Sequence, residues 1–337
     1  MKLSNPIGIS TVTALLVLQT LGYSQQHTSA LPAVSSSFES TPALAAPAPK
    51  STTVASSKPA TTSSTITVAN FKKMLTSSSK LPQAVSYLKK NINKVTPYTA
   101  TLLVLTLENA QNKYLDDWTN QYTESMQKKL MNMYTSAGVY GDEKMDDMIK
   151  RTSDPALKKL LSNTKNSGYQ IINVEGYYMP IIDYDQYDAY DDYVTKDIND
   201  YVDIMAEESD EPALMDAGLV IGWDKLLVRT LDMEQFILKY PHSNRLAVIQ
   251  QNYSYAVYTV FYGADNTPLF DSTTKAIDPD AQKQYLNLLN DKDTAEDYPS
   301  STLLSDLHGL MDLAAQSNYK LTSKLEAYRT QVAPLEL

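Results

Sequence analysis

Apolar residues recur along most of this chain at three- and four-residue steps, the spacing of one face of an α-helix. A first short stripe follows Val68 with Phe71, Met74 and Leu75. Pro82 opens a second, carrying Val85, Leu88 and Ile92, as suits a residue whose missing N–H has no helical partner to lose in the first turn. Pro97 opens the longest. Its stripe of Leu103, Leu107, Ala110, Tyr114, Trp118, Tyr122, Met126, Leu130 and Met133 predicts one long helix, bent near its middle. Gly138 and Gly141 end that pattern, and Asp154-Pro155 predicts the cap and first position of a helix that stops at Gly168.

The period then changes. Two β-branched and aromatic runs, 169–174 and 177–182, flank Glu175-Gly176, a two-residue hairpin signal, so a small β-hairpin is expected there and little other sheet. Helix returns after Asp183: Thr195 is the expected cap of a segment with Ile198, Tyr201, Val202, Ile204 and Met205 that ends before Pro212. Trp223 to Tyr240 and Leu246 to Val260 carry two further stripes, predicted to pack as an antiparallel hairpin closed by Gly263. Asp278-Pro279 opens another helix, a leucine stripe follows Ser301, and a helix from Thr322 closes the chain. The expected fold is mainly α, an irregular bundle of antiparallel helix hairpins with one small β-hairpin near 169–182. It occupies 67–337, with a subdivision into 67–168 and 183–337 around that hairpin.

Residues 1–66 break the pattern. Lys2 and the apolar run Ile9 to Leu21 read as an export signal over 1–30, the run being shorter than the about 20 residues that span a bilayer. Residues 31–66 are almost wholly Ser, Thr, Ala, Pro and Val, a linker that cannot build a core. The expected location is secreted or cell-wall associated, with no transmembrane segment once the leader is cut. The chain has no cysteine, so its stability must come from packing rather than disulfides. Its net charge of -10 argues against nucleic acid, whose phosphates need a lysine and arginine face.

Tyr240-Pro241-His242-Ser243 resembles the turn between helices in tetratricopeptide-like proteins, with proline stopping one helix and serine capping the next. Tyr298-Pro299-Ser300-Ser301 echoes it, but the separation does not fit a repeat of about 34 residues. Through Leu107-Glu108-Asn109-Ala110, Pro180-Ile181-Ile182-Asp183-Tyr184 and Tyr262-Gly263-Ala264-Asp265-Asn266-Thr267-Pro268, residues 98–325 resemble a group of uncharacterised exported proteins of Gram-positive bacteria. That resemblance implies location and fold, and brings no activity with it.

The densest chemistry is the run from Asp183 to Asp192, where Asp183, Asp185 and Asp188 suggest oxygen ligands for calcium. It is not an EF-hand, since glycine is absent at the sixth position and no glutamate closes the loop. The plainer reading is the start of an amphipathic helix, Tyr187, Tyr190 and Val194 inward and the aspartates in water. His242 and His308 lack partners at metal or catalytic spacing. Glu108, Glu175, Asp183 and Glu208 are candidates for the paired carboxylates of a glycan hydrolase, but spacing selects no pair. Trp118 and Trp223 fall on core faces, which leaves Tyr177 and Tyr178 of the hairpin as the better recognition surface. The expected function is a non-enzymatic interaction or scaffolding module whose partner is a protein or a cell-wall component. The alternatives are the glycan hydrolase and a calcium-dependent surface protein.

Overall fold

The computed structural model describes residues 60–137 and 144–334. The leader, the linker up to residue 59, and the helix stop at Gly138 and Gly141 lie outside them. Thirteen α-helices and three two-stranded antiparallel sheets make up the described part, so the fold is mainly α. None of these helices is long and apolar enough to cross a membrane.

The first half runs α1 (Ala60–Met74), α2 (Leu81–Asn91), α3 (Pro97–Thr119), α4 (Glu124–Ala137), α5 (Met145–Arg151) and α6 (Pro155–Asn166). Helix α1 begins ahead of the boundary expected at 67. Helix α3 buries most of its residues from Ala100 to Trp118 and leaves one stripe exposed, Leu102, Asn109, Lys113 and Asp116. The single long helix expected from Pro97 to Met133 is in fact α3 and α4. Tyr122 lies in the break, fully buried, with its hydroxyl 2.8 Å from that of Thr164. Its burial in a loop keeps the apolar stripe unbroken across a point where the helix stops.

Strands β1 (Tyr169–Val174) and β2 (Tyr177–Ile182) form the expected hairpin. Glu175 and Gly176 both take positive φ, 50° and 81°, as a turn that follows the strands' twist requires. Next comes a 3-10 helix, Tyr184–Tyr193, then α7 (Lys196–Asp210). Thr195 precedes α7, but its side chain caps nothing there; its hydroxyl accepts from that of Thr101 across the fold. Two minimal hairpins follow, β3 (Leu214–Met215) with β4 (Gly218–Leu219), and β5 (Gly263–Ala264) with β6 (Thr267–Pro268).

Between these hairpins, α8 (Trp223–Lys239) and α9 (Leu246–Tyr262) pack antiparallel as expected. Ser243 does not cap α9: it donates to Asp197 at 2.7 Å and accepts from the N–H of Arg245, the residue ahead of the helix. The chain ends with α10 (Pro279–Leu289), α11 (Lys292–Asp297), α12 (Thr302–Ala315) and α13 (Ser323–Val332). Ser301 caps α12 and Thr322 caps α13 through their hydroxyls.

The apolar interior divides into two large cores, and the β-hairpin does not separate them. One core joins α1, α2, α3, β1, the 3-10 helix and α7 to Met233, Phe236 and Ile249. The other joins α10, α12 and α13 to Trp223, Leu226, Leu231, Val260 and Phe261. Each of α8 and α9 therefore has one end in each core, and the subdivision falls across this helix pair. A two-stranded ribbon is too small to partition a bundle, whereas helices of 17 residues present enough surface to serve both sides. A smaller core holds Tyr122, Leu130, Met148, Leu157, Leu161 and Tyr178 under the hairpin.

Candidate functional site

The 3-10 helix carries a three-residue repeat, Tyr184-Asp185-Gln186, Tyr187-Asp188-Ala189, Tyr190-Asp191-Asp192, closed by Tyr193. A 3-10 helix turns once every three residues, so like residues of the repeat stack on one line. Tyr184, Tyr187 and Tyr190 are buried, whereas Asp185 and Asp188 are exposed and Asp191 half-buried. The inward reading of Tyr187 and Tyr190 holds, but the segment is 3-10 rather than α.

Beneath the tyrosines lies a polar network on α3. Glu108 is buried, and its Oε1 accepts from the Tyr184 hydroxyl at 2.8 Å and from the Tyr201 hydroxyl. Its Oε2 accepts from Nε of Arg245 at 2.9 Å and from Nη2 as well. Gln111, one helical turn on, accepts from the Tyr187 hydroxyl and donates to the Ser167 carbonyl at 2.9 Å. The Tyr169 hydroxyl donates to the Gln111 carbonyl at 2.6 Å. Burial first, and Glu108 second, push the Tyr184, Tyr187 and Tyr201 hydroxyls well above their usual value, which keeps them protonated as donors. Burial works against the Arg245 charge, but Glu108 and Tyr201 outweigh it and hold the guanidinium protonated. Hydroxyls, amide and guanidinium thus leave the tyrosine side of the 3-10 helix fixed.

The outward side meets α7 through like charge. Partial desolvation between the two elements raises the Asp188 and Asp191 carboxyls, and Asp185 adds to the first, Asp188 and Asp203 to the second. Asp203 is raised by desolvation, Asp200 and Asp188, and Asp210 by desolvation and by Asp185, with which it shares a hydrogen bond. Burial also raises Asp183, although Gln186 donates to it at 2.6 Å. Within the pH interval between the ordinary carboxylate value and these raised ones, the folded protein keeps protons that the unfolded chain has released. Stability therefore falls as pH rises through the raised values and carries no such penalty below the ordinary ones. The penalty is expected to shrink as pH is lowered towards the ordinary aspartate value of 3.8, and Asp188→Asn with Asp191→Asn to flatten that slope of stability against pH. An unchanged slope in the double variant, followed by circular dichroism, would remove these carboxyls as its source.

The other sequence candidates are dispersed. Of the three aspartates suggested for calcium, Asp188 is exposed, Asp185 is exposed and shares a hydrogen bond with Asp210, and Asp183 is held by Gln186. Among the described residues, no group of three or more His, Cys, Asp or Glu is placed to hold a metal ion. Tyr177 is exposed, but Tyr178 is 5 % exposed and belongs to the core under the hairpin, a correction to its reading as surface. Adjacent strand residues point to opposite faces, so the two cannot share one surface. Trp118 and Trp223 are buried. His242 is exposed in its turn, and His308 lies 3.5 Å from Asp312 on the surface of α12.

Among the hydrolase candidates, Glu108 is saturated as described, and Glu208 accepts from Arg229 at 3.3 Å and from the Ala213 N–H at 3.1 Å. Glu175 sits at the exposed hairpin turn. Spacing gave no sign of Arg245 or Gln111. The three-residue repeat of Tyr and Asp was legible, and its period is the signal that distinguishes a 3-10 from an α-helix. No family model matches the chain, and neither the curated proteins nor the solved structures yield one similar to it.

Proposed function

We propose that this chain is an exported, non-enzymatic interaction module that presents the acidic side of its 3-10 helix and α7 to a cationic protein or cell-wall component. The observation that carries this reading is the repeat: Tyr184 and Tyr187 are anchored on Glu108 and Gln111, and the next line of residues holds the exposed Asp185 and Asp188 and the half-buried Asp191 in register. Folding has already met the cost of bringing these carboxylates together, so a partner that supplies lysine or arginine relieves their repulsion. A glycan hydrolase is the weaker reading, because of its candidate carboxylates the two that are buried, Glu108 and Glu208, are each held by an arginine.

The test is capture of partners from extracts of the producing cell's surface on the immobilised protein, with Asp185→Asn/Asp188→Asn/Asp191→Asn alongside. The expected result is a component held by the wild type at low salt, released as ionic strength passes a few tenths molar, and absent from the triple variant. Equal capture by both proteins would sink the acidic-face reading.

A further inference from the structure

The two cores meet along α7, α8 and α9, and at this seam lies a cavity of about 30 Å³. Most of its wall is aliphatic, with Ile204, Met205, Leu226 and Met233 among its members. Asn252 of α9 also lines it and is 3 % exposed. Its Nδ2 meets the Met205 sulfur at 3.6 Å, and its Oδ1 makes no hydrogen bond within the protein.

The arginine and the two threonines at the wall have partners, and Tyr255 there is only half-buried. Arg229 is ringed by Glu207, Glu208 and Glu211, the Thr230 hydroxyl donates to the Leu226 carbonyl at 2.6 Å, and the Thr259 hydroxyl donates to the Tyr255 carbonyl at 2.9 Å. Asn252 Oδ1 is thus a fully buried acceptor open to an incoming group.

The surroundings fix what that group can be. The two charged groups at the wall, Arg229 and Glu208, pair with each other at 3.3 Å, so a charged ligand would be desolvated with no free counter-charge to meet it. The space admits one small polar head. Behind it, the unbranched side chains of Met205 and Met233 can shift to let a short chain follow. We propose that this cavity is a binding site for a small neutral compound with a hydroxyl on a short aliphatic chain, the hydroxyl donating to Asn252 Oδ1. Bound there, it touches helices of both cores and holds the seam closed. The cavity shares no residue with the acidic face, so either assignment can fail without the other.

The experiment is ligand-observed saturation-transfer NMR on the full chain with 1-butanol as the probe, and tert-butanol as a bulkier control. Two variants accompany it: Asn252→Leu removes the acceptor and fills the space, and Ala256→Leu narrows the wall while leaving the acceptor. Circular dichroism melts show that each is folded. The expected result is transfer to 1-butanol and little to tert-butanol, with affinity about tenfold weaker in Asn252→Leu, the scale of one lost buried hydrogen bond, and weaker also in Ala256→Leu, where the space is reduced. Absence of transfer in the wild type, meaning that the cavity takes water alone, overturns the proposal. Equal transfer in the wild type and both folded variants overturns it as well.

Discussion

Replacing Arg245 by methionine is expected to lower stability by about 3–5 kcal/mol, the usual cost of stranding one member of a buried ion pair. For a chain of this size that is a fall in melting temperature of roughly 10 °C. The side chain of Glu108 is 3 % exposed and that of Arg245 12 %, so water cannot stand in for the missing guanidinium. The loss should spread beyond the pair, because Tyr184 and Tyr201 donate to the same carboxylate and Arg245 also lies 5.7 Å from the Tyr201 ring centre. Adding Glu108→Gln to Arg245→Met removes the stranded charge and keeps an acceptor for the tyrosines, so the double variant should recover a good part of the loss. Urea unfolding of the wild type, both single variants and the double variant completes the cycle. A loss below about 1 kcal/mol for Arg245→Met would mean that the pair is solvated and contributes no more than a surface bridge.

The second large effect is expected at Gly263, where α9 turns into β5. Its φ of 78° and ψ of -158° lie in a region essentially reserved for glycine. A Cβ there would lie 2.3 Å from the Thr267 carbonyl oxygen and 2.5 Å from the Leu269 nitrogen. Both are backbone atoms, and the second donates to the Tyr262 carbonyl at 2.9 Å, so neither can step aside without unmaking the turn. Gly263→Ala should cost about 3 kcal/mol or more, combining strain with overpacking. Gly176 provides the comparison: its φ is 81°, but nothing lies within 4 Å of the added Cβ. Gly176→Ala should therefore show the backbone cost alone, about 1–2 kcal/mol. Denaturant midpoints of the two variants test this, and equal losses would refute the role given to the close approach at Gly263.

The patterning marks Gly263 as the end of a helix but conceals the partnership of Glu108 with Arg245. Glu108 follows the largely apolar stretch 102–107 of its helix, and by spacing alone it reads equally well as a reactive carboxylate or as a solvated interruption. What settles its role is Arg245, which reaches it from the loop between α8 and α9. The repeat at 184–193 shows the opposite case. The carboxylates were conspicuous, yet their setting depends on the tyrosines between them, whose three-residue period matches the 3-10 turn. The Tyr177 and Tyr178 pair was separable in principle, because a strand's alternation forbids both from facing water.

Local rules governed what the sequence by itself determined: the mainly helical fold, the caps at Asp154 and Asp278, the hairpin at Glu175-Gly176 and the antiparallel α8 and α9. Each rests on interactions among residues within a few positions of one another, or between neighbours joined by a short turn, so period and capping chemistry are enough to specify it. Tertiary structure alone decided the break before Tyr122, the sharing of α8 and α9 between two cores, the pairing of Glu108 with Arg245 and the unpaired amide oxygen of Asn252. These depend on which helical faces meet. Apolar faces are nearly interchangeable in their attraction, and it is the shape of the packed side chains, with the few buried polar groups that must find partners, that selects one arrangement.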